Sequence, residues 1–317
     1  MRIFRSLDAV PADFGPCALT IGNFDGVHLG HRRIARRLVE LASENGWKAS
    51  MLTFDPHPTS VVAPERTPRL LSSVEERVRR MAEEGVEQAL IMPFGPEVAQ
   101  LPPGRFAGEV IADRLKARAI VVGANFRFGF HQAGDAAALT ALGRKFGFET
   151  EIVPPVPCRG RIISSSGVRE SIASGRVSLA SRFLGRPYAL EGEIEAGRGV
   201  GSRQVVPTLN LRTSAEAIPA YGVYATRTID PDSEREWRSI TNIGRRPTFG
   251  GGGGVSIETY LLDDFDGRTP RRIRLEFLWR VRGERKFDNP EALKSQVLRD
   301  VRSVRRGLRI VKRHGAG

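Results

Sequence analysis

Two histidines, His28 and His31, lie in a short segment between an apolar run and a stretch with helical spacing. The same segment contains three glycines, which are Gly22, Gly26 and Gly30. Imidazole N–H groups can donate to phosphate oxygens, and protonated imidazoles would stabilise a pentavalent phosphorus transition state. Glycines let the backbone approach a ligand closely, and the start of a helix favours anions. The segment therefore predicts a phosphate site.

A second polar cluster consists of Ser165, Ser166 and Arg169 at the start of a short helical segment. Hydroxyls and a guanidinium in this arrangement suit a polyphosphate. The alternative is a serine cluster that caps a helix, with an arginine on the surface. The residue types alone leave both interpretations open.

Asn125 and Phe126 follow the apolar run 119–123 directly. The amide of Asn125 could hydrogen-bond to a base or another ring, and Phe126 could stack on that ring. Phe126 could equally be a residue of the hydrophobic core.

Thr208 and Asn210 stand two residues apart on an extended segment, so their side chains project to the same face. A hydroxyl and an amide oxygen suit a Mg²⁺ ion that is also bound by substrate phosphates. The preceding glycine-rich loop, which contains Gly197 and Gly199, does not have the Walker spacing.

Glu258 is the acidic residue of an otherwise apolar strand pattern. A carboxylate in such a strand is costly unless it has a partner or a function. It could take the proton from an attacking hydroxyl, or it could be an exposed glutamate of an edge strand.

The first half of the chain alternates strand and helix signals, which predicts βαβ units and a parallel sheet of the Rossmann-like α/β class. The apolar strand runs are 18–22, 49–54, 88–94, 119–123 and 149–153. The helical patterns are 32–44, 73–85, 106–116 and 135–146. Because ligands bind at the carboxyl ends of such strands, the polar segments described above should face one another.

The second half consists of short alternating segments separated by turn residues, which predicts a small antiparallel barrel or sandwich. A final helix, 290–308, has an apolar stripe formed by Leu293, Val297, Val301 and Val304. The simplest interpretation is that this helix packs on the barrel. Arg186-Pro187 marks the change of pattern, so we expect one domain at 1–186 and another at 187–317.

The chain has 317 residues, 40% hydrophobic and 27% charged, a formal net charge of +13 and a pI near 10.7. Domains of about 100–200 residues make two domains the expectation. No apolar run is long enough to cross a bilayer, and the N-terminus lacks the apolar core of a signal peptide. The two cysteines, Cys17 and Cys158, form no metal-ligand pattern and no disulfide framework. We therefore expect a cytoplasmic protein with no membrane partner.

The segments GNFDGVHLGH, LTFDPHP, VVGANFRFG and ISSSGVR resemble the adenylyltransferase half of the bacterial bifunctional riboflavin kinase/FAD synthetase family. The resemblance implies that the phosphate of FMN attacks the α-phosphorus of ATP and releases pyrophosphate. It implies that His28 and His31 contact the phosphates of ATP. The other residues that it implies for ATP are Gly22, Phe24, Asp25, Gly30, Asn125, Ser165, Ser166 and Arg169. Those that it implies for the flavin are Phe54, Pro56 and Phe126.

Segments of the second half resemble the riboflavin kinase module of the same family, so the resemblance covers roughly residues 15 to 305. These segments are GRGVGSRQVVPTLNL, PAYGVY, NIGRRPTF, IETYLLD and RGERKF. The resemblance implies a six-stranded barrel that phosphorylates riboflavin to FMN with ATP and Mg²⁺. It implies that Thr208 and Asn210 hold Mg·ATP beside Gly197 and Gly199. It also implies that Glu258 is the base for the ribityl 5′-hydroxyl and that Arg282 contacts the flavin.

Two other functions compete with this interpretation. In one, the second domain is a flavin-binding regulatory module and only adenylyl transfer takes place. In the other, the basic chain binds nucleic acid, for which a pI above 9 is a common sign. However, only six of the 49 Lys and Arg residues are lysine, and the arginines are scattered along the chain. We therefore expect ATP, riboflavin and FMN as partners rather than nucleic acid, and the sequence leaves the oligomeric state open.

Overall fold

The computed structural model describes residues 1–195, 208–245, 254–265 and 269–314. They fall into two compact units, Met1–Ser165 and Ser166–Gly317. The first contains a six-stranded parallel sheet and the second a closed six-stranded barrel followed by a helix. The predicted fold class is therefore confirmed.

The first unit contains ten strands and a set of mostly short helices. The strands are β1 (Arg2–Phe4), β2 (Cys17–Ile21), β3 (Lys48–Asp55), β4 (Gln88–Pro93), β5 (Ala117–Gly123), β6 (Arg127–Phe128), β7 (Gly134–Asp135), β8 (Glu149–Val153), β9 (Pro157–Cys158) and β10 (Arg161–Ile162). The α-helices are α1 (Leu29–Asn45), α2 (Pro58–Val62), α3 (Val74–Glu83), α4 (Pro96–Ala99), α5 (Pro103–Arg105) and α6 (Ala136–Phe146). A π-helix covers Phe106–Arg114, and 3₁₀ turns cover Pro64–Arg66 and Phe130–Gln132.

The parallel sheet has the strand order β1-β4-β3-β2-β5-β8, with an apolar cluster on each face. One cluster includes residues of α1 and α3, and the other includes residues of the π-helix and α6. Strands covered on both faces read as nearly continuous apolar runs, which is why they were recognisable in the sequence. The edge strand β1 was not predicted, because three residues are too few to show a period.

Helix ends follow the capping residues. Ser73 caps α3 as predicted, with its Oγ accepting the N–H of Glu76 at 3.1 Å. Helix α1 ends at Gly46, which has a left-handed φ of 67°. It begins at Leu29, three residues before the predicted start, because His28 acts as its N-cap.

In the second unit two helices precede the barrel strands and a third helix follows them. The helices are α7 (Ser165–Ala173), α8 (Val177–Leu184) and α9 (Pro290–His314). The strands are β11 (Tyr188–Glu195), β12 (Thr208–Arg212), β13 (Gly222–Ile229), β14 (Glu236–Arg245), β15 (Val255–Leu261) and β16 (Arg272–Gly283). They close in the order β11-β12-β15-β14-β13-β16, and all these pairs are antiparallel.

The inner and outer faces of the barrel follow the alternation of each strand. Along β15, Ile257, Thr259 and Leu261 are buried, whereas the side chains between them are partly exposed. The interior also contains fully buried hydroxyls that hydrogen-bond to one another, including the Oγ1 of Thr226 and Thr241 at 2.8 Å. Buried hydroxyls are tolerated because they satisfy each other.

Helix α9 packs on the outside of the barrel over only part of the predicted stripe. Val304 and Leu308 are buried in a cluster with Val223 and Ile240. Leu293 is 45% exposed, so the prediction that it belongs to the packed stripe is wrong. A periodic pattern shows which face of a helix is apolar, but not how many of its turns have a neighbour.

The packing units divide the chain between Ser165 and Ser166, so α7 and α8 belong with the barrel. Where one activity ends and the other begins is a separate question, and the boundary between 186 and 187 stays a prediction. Among the described helices, none combines the length and the apolar character needed to cross a membrane.

Candidate active sites

The loop between β2 and α1, residues 22–28, lies at the carboxyl ends of the parallel strands. Its backbone has positive φ angles of 48° at Phe24, 77° at Gly26 and 37° at Val27. These angles are uncommon for a phenylalanine or a valine, and they persist only where the surroundings hold the chain firmly. The loop therefore presents its backbone groups in a defined arrangement.

His28 is the last residue of the loop and the N-cap of α1. Its Nδ1 accepts the N–H groups of Gly30 at 3.1 Å and of His31 at 3.3 Å. Because Nδ1 is the acceptor, the heavy-atom geometry assigns the proton of the neutral ring to Nε2. The cap thereby orients a donor that can serve a phosphate oxygen.

The ring of His31 stacks on that of His28, with centroids 3.7 Å apart and an angle of 15° between planes. Burial, reinforced by the nearby His28, lowers the pKa of His31 well below its usual 6.5. His31 is therefore neutral near pH 7 in the unliganded protein. Its Nδ1 is buried without a hydrogen-bond partner among the described residues.

The lowered pKa of His31 makes a pH prediction. The unfolded chain binds a proton at this histidine near pH 6.5, whereas the folded chain does so only at lower pH. The stabilisation is therefore complete above pH 6.5 and is lost below it, by at most about 1.4 kcal/mol per pH unit. The midpoint of thermal unfolding, followed by circular dichroism, should fall more steeply between pH 7 and pH 5 in wild type than in His31→Gln. Equal slopes would contradict the assignment.

Asp25 holds the loop to the segment before α3. Its carboxylate accepts the N–H of Leu71 at 3.0 Å and of Ser72 at 3.1 Å, and it is 2% exposed. The Oγ of Ser72 also accepts the N–H of Gly26 at 2.9 Å. These contacts give the Asp25 side chain a structural role in the loop, while its predicted contact with ATP stays a prediction.

The first residue of the cluster formed by Ser165, Ser166 and Arg169 contacts this same loop. The Oγ of Ser165 donates to the backbone oxygen of Asp25 at 2.9 Å, across 140 residues of sequence. Ser166 is exposed and Arg169 half-buried on α7, which belongs to the second packing unit. The structure thus brings Ser165 to the β2–α1 loop, and the roles of Ser165, Ser166 and Arg169 in binding ATP stay predictions.

Asn125 and Phe126 lie just beyond β5, as expected. Asn125 is exposed, and its Oδ1 would be 3.2 Å from a Cβ at Gly123. Phe126 is half-buried, packs against the core, and stacks on the buried Phe128 with centroids 5.4 Å apart. Phe126 is therefore part of the core with one face partly open, which leaves its predicted contact with the flavin untested.

Phe54 and Pro56 lie at the end of β3. Phe54 is half-buried and makes an edge-to-face contact with Phe94, with centroids 5.4 Å apart. Pro56 is exposed. An aromatic pair beside an exposed proline could cover a planar ring. The predicted contacts of Phe54 and Pro56 with the flavin stay predictions.

Thr208, Asn210 and Glu258 occupy one patch on the outer face of the barrel. Asn210 is the cross-strand partner of Glu258, and Glu258 is in turn the partner of Asn242 on β14. Thr208 and Asn210 are half-buried on alternate positions of β12, as is Glu258 on β15. Directly opposite residues have Cβ atoms about 4.5–5.5 Å apart, so the oxygen-bearing groups lie close together.

The carboxylate of Glu258 is held from its own strand, since the Oγ of Ser256 donates to its Oε1 at 2.8 Å. A surface cavity of about 270 Å³ adjoins this patch. Its lining includes Asn210, Ser256, Arg212 and Ile218. The base candidate therefore stands next to a concave surface that is both polar and apolar.

Two further predictions about the barrel concern the glycine-rich loop and Arg282. Gly197 and Gly199 lie outside the described residues. Arg282 forms an ion pair with Asp300 of α9, with Nε and Oδ2 2.9 Å apart, and Asp300 is 5% exposed. This ion pair joins α9 to the barrel, and the predicted contact of Arg282 with the flavin stays a prediction.

Comparison with known families decides what the two sites belong to. The FAD synthetase family matches residues 10–167, and the riboflavin kinase family matches residues 184–308. A bifunctional riboflavin kinase/FMN adenylyltransferase of Pseudomonas fluorescens is 33% identical over 305 residues, which cover 96% of this chain and 97% of the relative. The chain belongs to the bifunctional riboflavin kinase/FMN adenylyltransferase family.

A second relative carries the same name, and a solved structure has the same fold. The protein of the same name from Escherichia coli K12 is 32% identical and covers 96% of both chains. A crystal structure named as a macrolide-efflux protein, from Streptococcus pneumoniae, has a TM-score of 0.83 and 27% identity. It covers 96% of this chain and 98% of its own. The family resemblance seen in the sequence is therefore confirmed over nearly the whole length.

Sequence reasoning missed several polar residues around the adenylyltransferase loop. The Nδ1 of His57 caps α2, and its Nε2 is 3.2 Å from the side-chain nitrogen of Asn23. Since Nδ1 already accepts from Thr59, the proton lies on Nε2, and the Asn23 amide is better placed with its oxygen towards His57. The sequence His57-Pro58 was a recognisable cap signal, because proline favours the first helical position.

The space beside Gly30 gives a prediction for the adenylyltransferase. A Cβ at this position would lie 3.0 Å from Cε1 and 3.1 Å from Nδ1 of His28. Gly30→Ala should therefore displace the His28 ring and lower kcat/KM for adenylyl transfer by about tenfold, although alanine is the better helix former. Steady-state assays with FMN and ATP measure this effect. Gly95→Ala, which has nothing within 4 Å of the added Cβ, is the matched control and should stay at the wild-type level.

Proposed function

We propose that this chain converts riboflavin to FMN in its barrel unit and FMN to FAD at the loop of its parallel sheet. The chain belongs to an ATP-dependent bifunctional family whose two parts both match here, at residues 10–167 and 184–308. That observation carries the proposal. The residue roles below are supported by the local geometry.

In the first reaction, the 5′-hydroxyl of riboflavin attacks the γ-phosphorus of ATP, and ADP leaves. The hydroxyl loses its proton to the carboxylate of Glu258, which the hydroxyl of Ser256 holds at 2.8 Å. Glu258 stands beside Asn210 on the neighbouring strand, so the base and the nucleotide-binding residues share one patch.

Mg²⁺ fits the oxygen donors of this patch. Thr208 and Asn210 offer a hydroxyl and an amide oxygen, which are the hard donors that Mg²⁺ takes together with substrate phosphates. When bound, the ion neutralises the charge of the transferring phosphoryl group. The protein's part is to hold Thr208 and Asn210 on the same side of β12 and next to Glu258.

In the second reaction, a phosphate oxygen of FMN attacks the α-phosphorus of ATP, and pyrophosphate leaves. The loop supplies the Nε2–H of His28 and the ring of His31, which can donate to phosphate oxygens. No covalent enzyme intermediate is required, because positioning and stabilisation of charge suffice for in-line transfer. The neutral state of His31 before binding means that a protonated ring would have to form with the anion in place.

The test is a time course with riboflavin, ATP and Mg²⁺, with flavins separated by chromatography. FMN should appear first and FAD should follow, and EDTA should stop both. Accumulation of FMN without any FAD would refute the second activity, and unchanged riboflavin would refute the first. The cytoplasmic location expected from the sequence belongs to this proposal and stays a prediction.

A further inference from the structure

We infer that Arg77, on α3, is a positioning residue for adenylyl transfer. Its side chain orients the Asn23–Phe24 peptide of the loop between β2 and α1. The inference rests on the proposed adenylyltransferase activity of the N-terminal unit.

Arg77 is an unusual residue for its surroundings. It is 2% exposed and is the largest of the fully buried side chains, although it bears a charge. Its NH1 donates to the backbone oxygen of Asn23 at 3.2 Å. The Oγ1 of Thr53 approaches the same oxygen at 3.5 Å. A buried guanidinium is costly, so its presence here requires a structural or functional reason.

The contact with Asn23 determines where the next backbone N–H points. The Asn23–Phe24 peptide is trans, so its carbonyl and its N–H point in opposite directions. With the carbonyl directed to Arg77, the N–H of Phe24 is directed away from α3. Among the described residues, no acceptor receives this N–H, although Phe24 is only 3% exposed. A buried N–H group of a loop before a helix is a donor for an anion.

The residues on either side of α3 make further contacts with the loop and with α1. Ser72 accepts the N–H of Gly26 and donates to the carboxylate of Asp25 at 3.3 Å. At the other end of α3, Glu84 is paired with two arginines of α1, Arg32 and Arg36. Residues 72–84, which contain α3, therefore brace both the loop and α1, and Arg77 holds the residue before the first positive φ angle.

The experiment replaces Arg77 by methionine, which has a similar length but no donor. For Arg77→Met we expect KM for ATP in adenylyl transfer to rise about tenfold, as for loss of one hydrogen bond to a charged group. KM for FMN and the rate of riboflavin phosphorylation should change less than about twofold. Arg77→Lys retains a donor and should recover most of the ATP affinity. A merely structural role would not separate ATP from FMN in this way.

Arg80→Met is the matched control. Arg80 lies on the same helix, its side chain is 11% exposed, and it forms ion pairs with Glu76 and Glu83 of that helix. It should retain the wild-type KM for ATP. The inference is overturned if Arg77→Met keeps the wild-type KM for ATP, or if its KM for FMN rises as much.

A second measurement needs no variant at Arg77 and remains available if that variant does not fold. In wild-type protein labelled with ¹⁵N-phenylalanine, which gives signals from 16 residues, the amide of Phe24 should shift when α,β-methylene ATP is added. The signal is assigned through Phe24→Leu. An unchanged Phe24 amide at saturating analogue would overturn the inference. If wild-type protein binds the analogue with this shift but makes no FAD, the proposed adenylyl transfer fails, while the orientation of the Phe24 amide towards the nucleotide stands.

Discussion

Glu258→Gln should abolish riboflavin phosphorylation while leaving the adenylylation of FMN intact. The amide keeps the size of the side chain and can still meet Ser256, but it cannot take the proton of the attacking hydroxyl. Loss of a general base lowers kcat by about 10²–10⁴-fold. Assays with riboflavin and with FMN as alternative substrates measure the two activities separately. When the variant is given riboflavin, ATP and Mg²⁺ but no FMN, neither FMN nor FAD should form.

The matched control for this variant is Glu236→Gln. Glu236 is a glutamate of β14 that is exposed and paired with Arg227, so its loss should have little effect on either rate. Substantial kinase activity in Glu258→Gln would show that another group accepts the proton. A parallel loss of FMN adenylylation would instead indicate general unfolding.

His28→Ala should produce the opposite separation. The alanine removes the cap of α1 and the Nε2–H donor that faces away from it. We expect adenylyl transfer to fall about 10²–10³-fold, as when one preorganised donor to a developing charge is lost. FMN should accumulate from riboflavin, because the barrel site is unaffected. Chromatography of the flavin products measures the ratio.

His131→Asn is the control for His28→Ala. His131 is exposed and has a φ of 53°, an angle that asparagine tolerates well. It should give wild-type amounts of FAD. Unchanged FAD production by His28→Ala would contradict the assignment of the histidine loop.

The sequence predicted the contiguous parts of the site because local spacing carries them. His28 ends the loop that joins β2 to α1, and His31 lies in the first turn of α1. The alternation along β15 places Glu258 on a defined face. The family resemblance implied that Ser165 contacts ATP, which stays a prediction, and its hydroxyl reaches the backbone of Asp25 in the β2–α1 loop.

The residues that sequence reasoning missed act through contacts between distant segments. Ser72, just before α3, and Arg77, on α3, hold the loop from 46 and 54 positions along the chain, and no periodicity records such contacts. The family resemblance implied that Arg282 contacts the flavin, which stays a prediction, and its ion pair with Asp300 is visible only after folding. The exposed Leu293 likewise shows that an amphipathic pattern does not determine the extent of packing.

The arginine excess has a partial structural explanation. Several arginines form ion pairs within the units, as Arg37 does with Glu40, Glu44 and Glu151. Arginines that are engaged with carboxylates contribute less to an open basic surface of the kind that binds nucleic acid. The pairs on exposed residues contribute little to stability, so they explain the composition rather than the fold.

The central claim is that one chain uses two molecules of ATP in two different ways. The most direct measurement follows the label from [γ-³²P]ATP and from [α-³²P]ATP into FAD made from riboflavin. We expect FAD to carry label in both experiments, because the kinase transfers the γ-phosphoryl group and the adenylyltransferase transfers the α-phosphoryl group. Glu258→Gln supplied with FMN should incorporate only the α-label. Wild-type FAD that never carries the γ-label would contradict the account and leave the barrel without kinase activity.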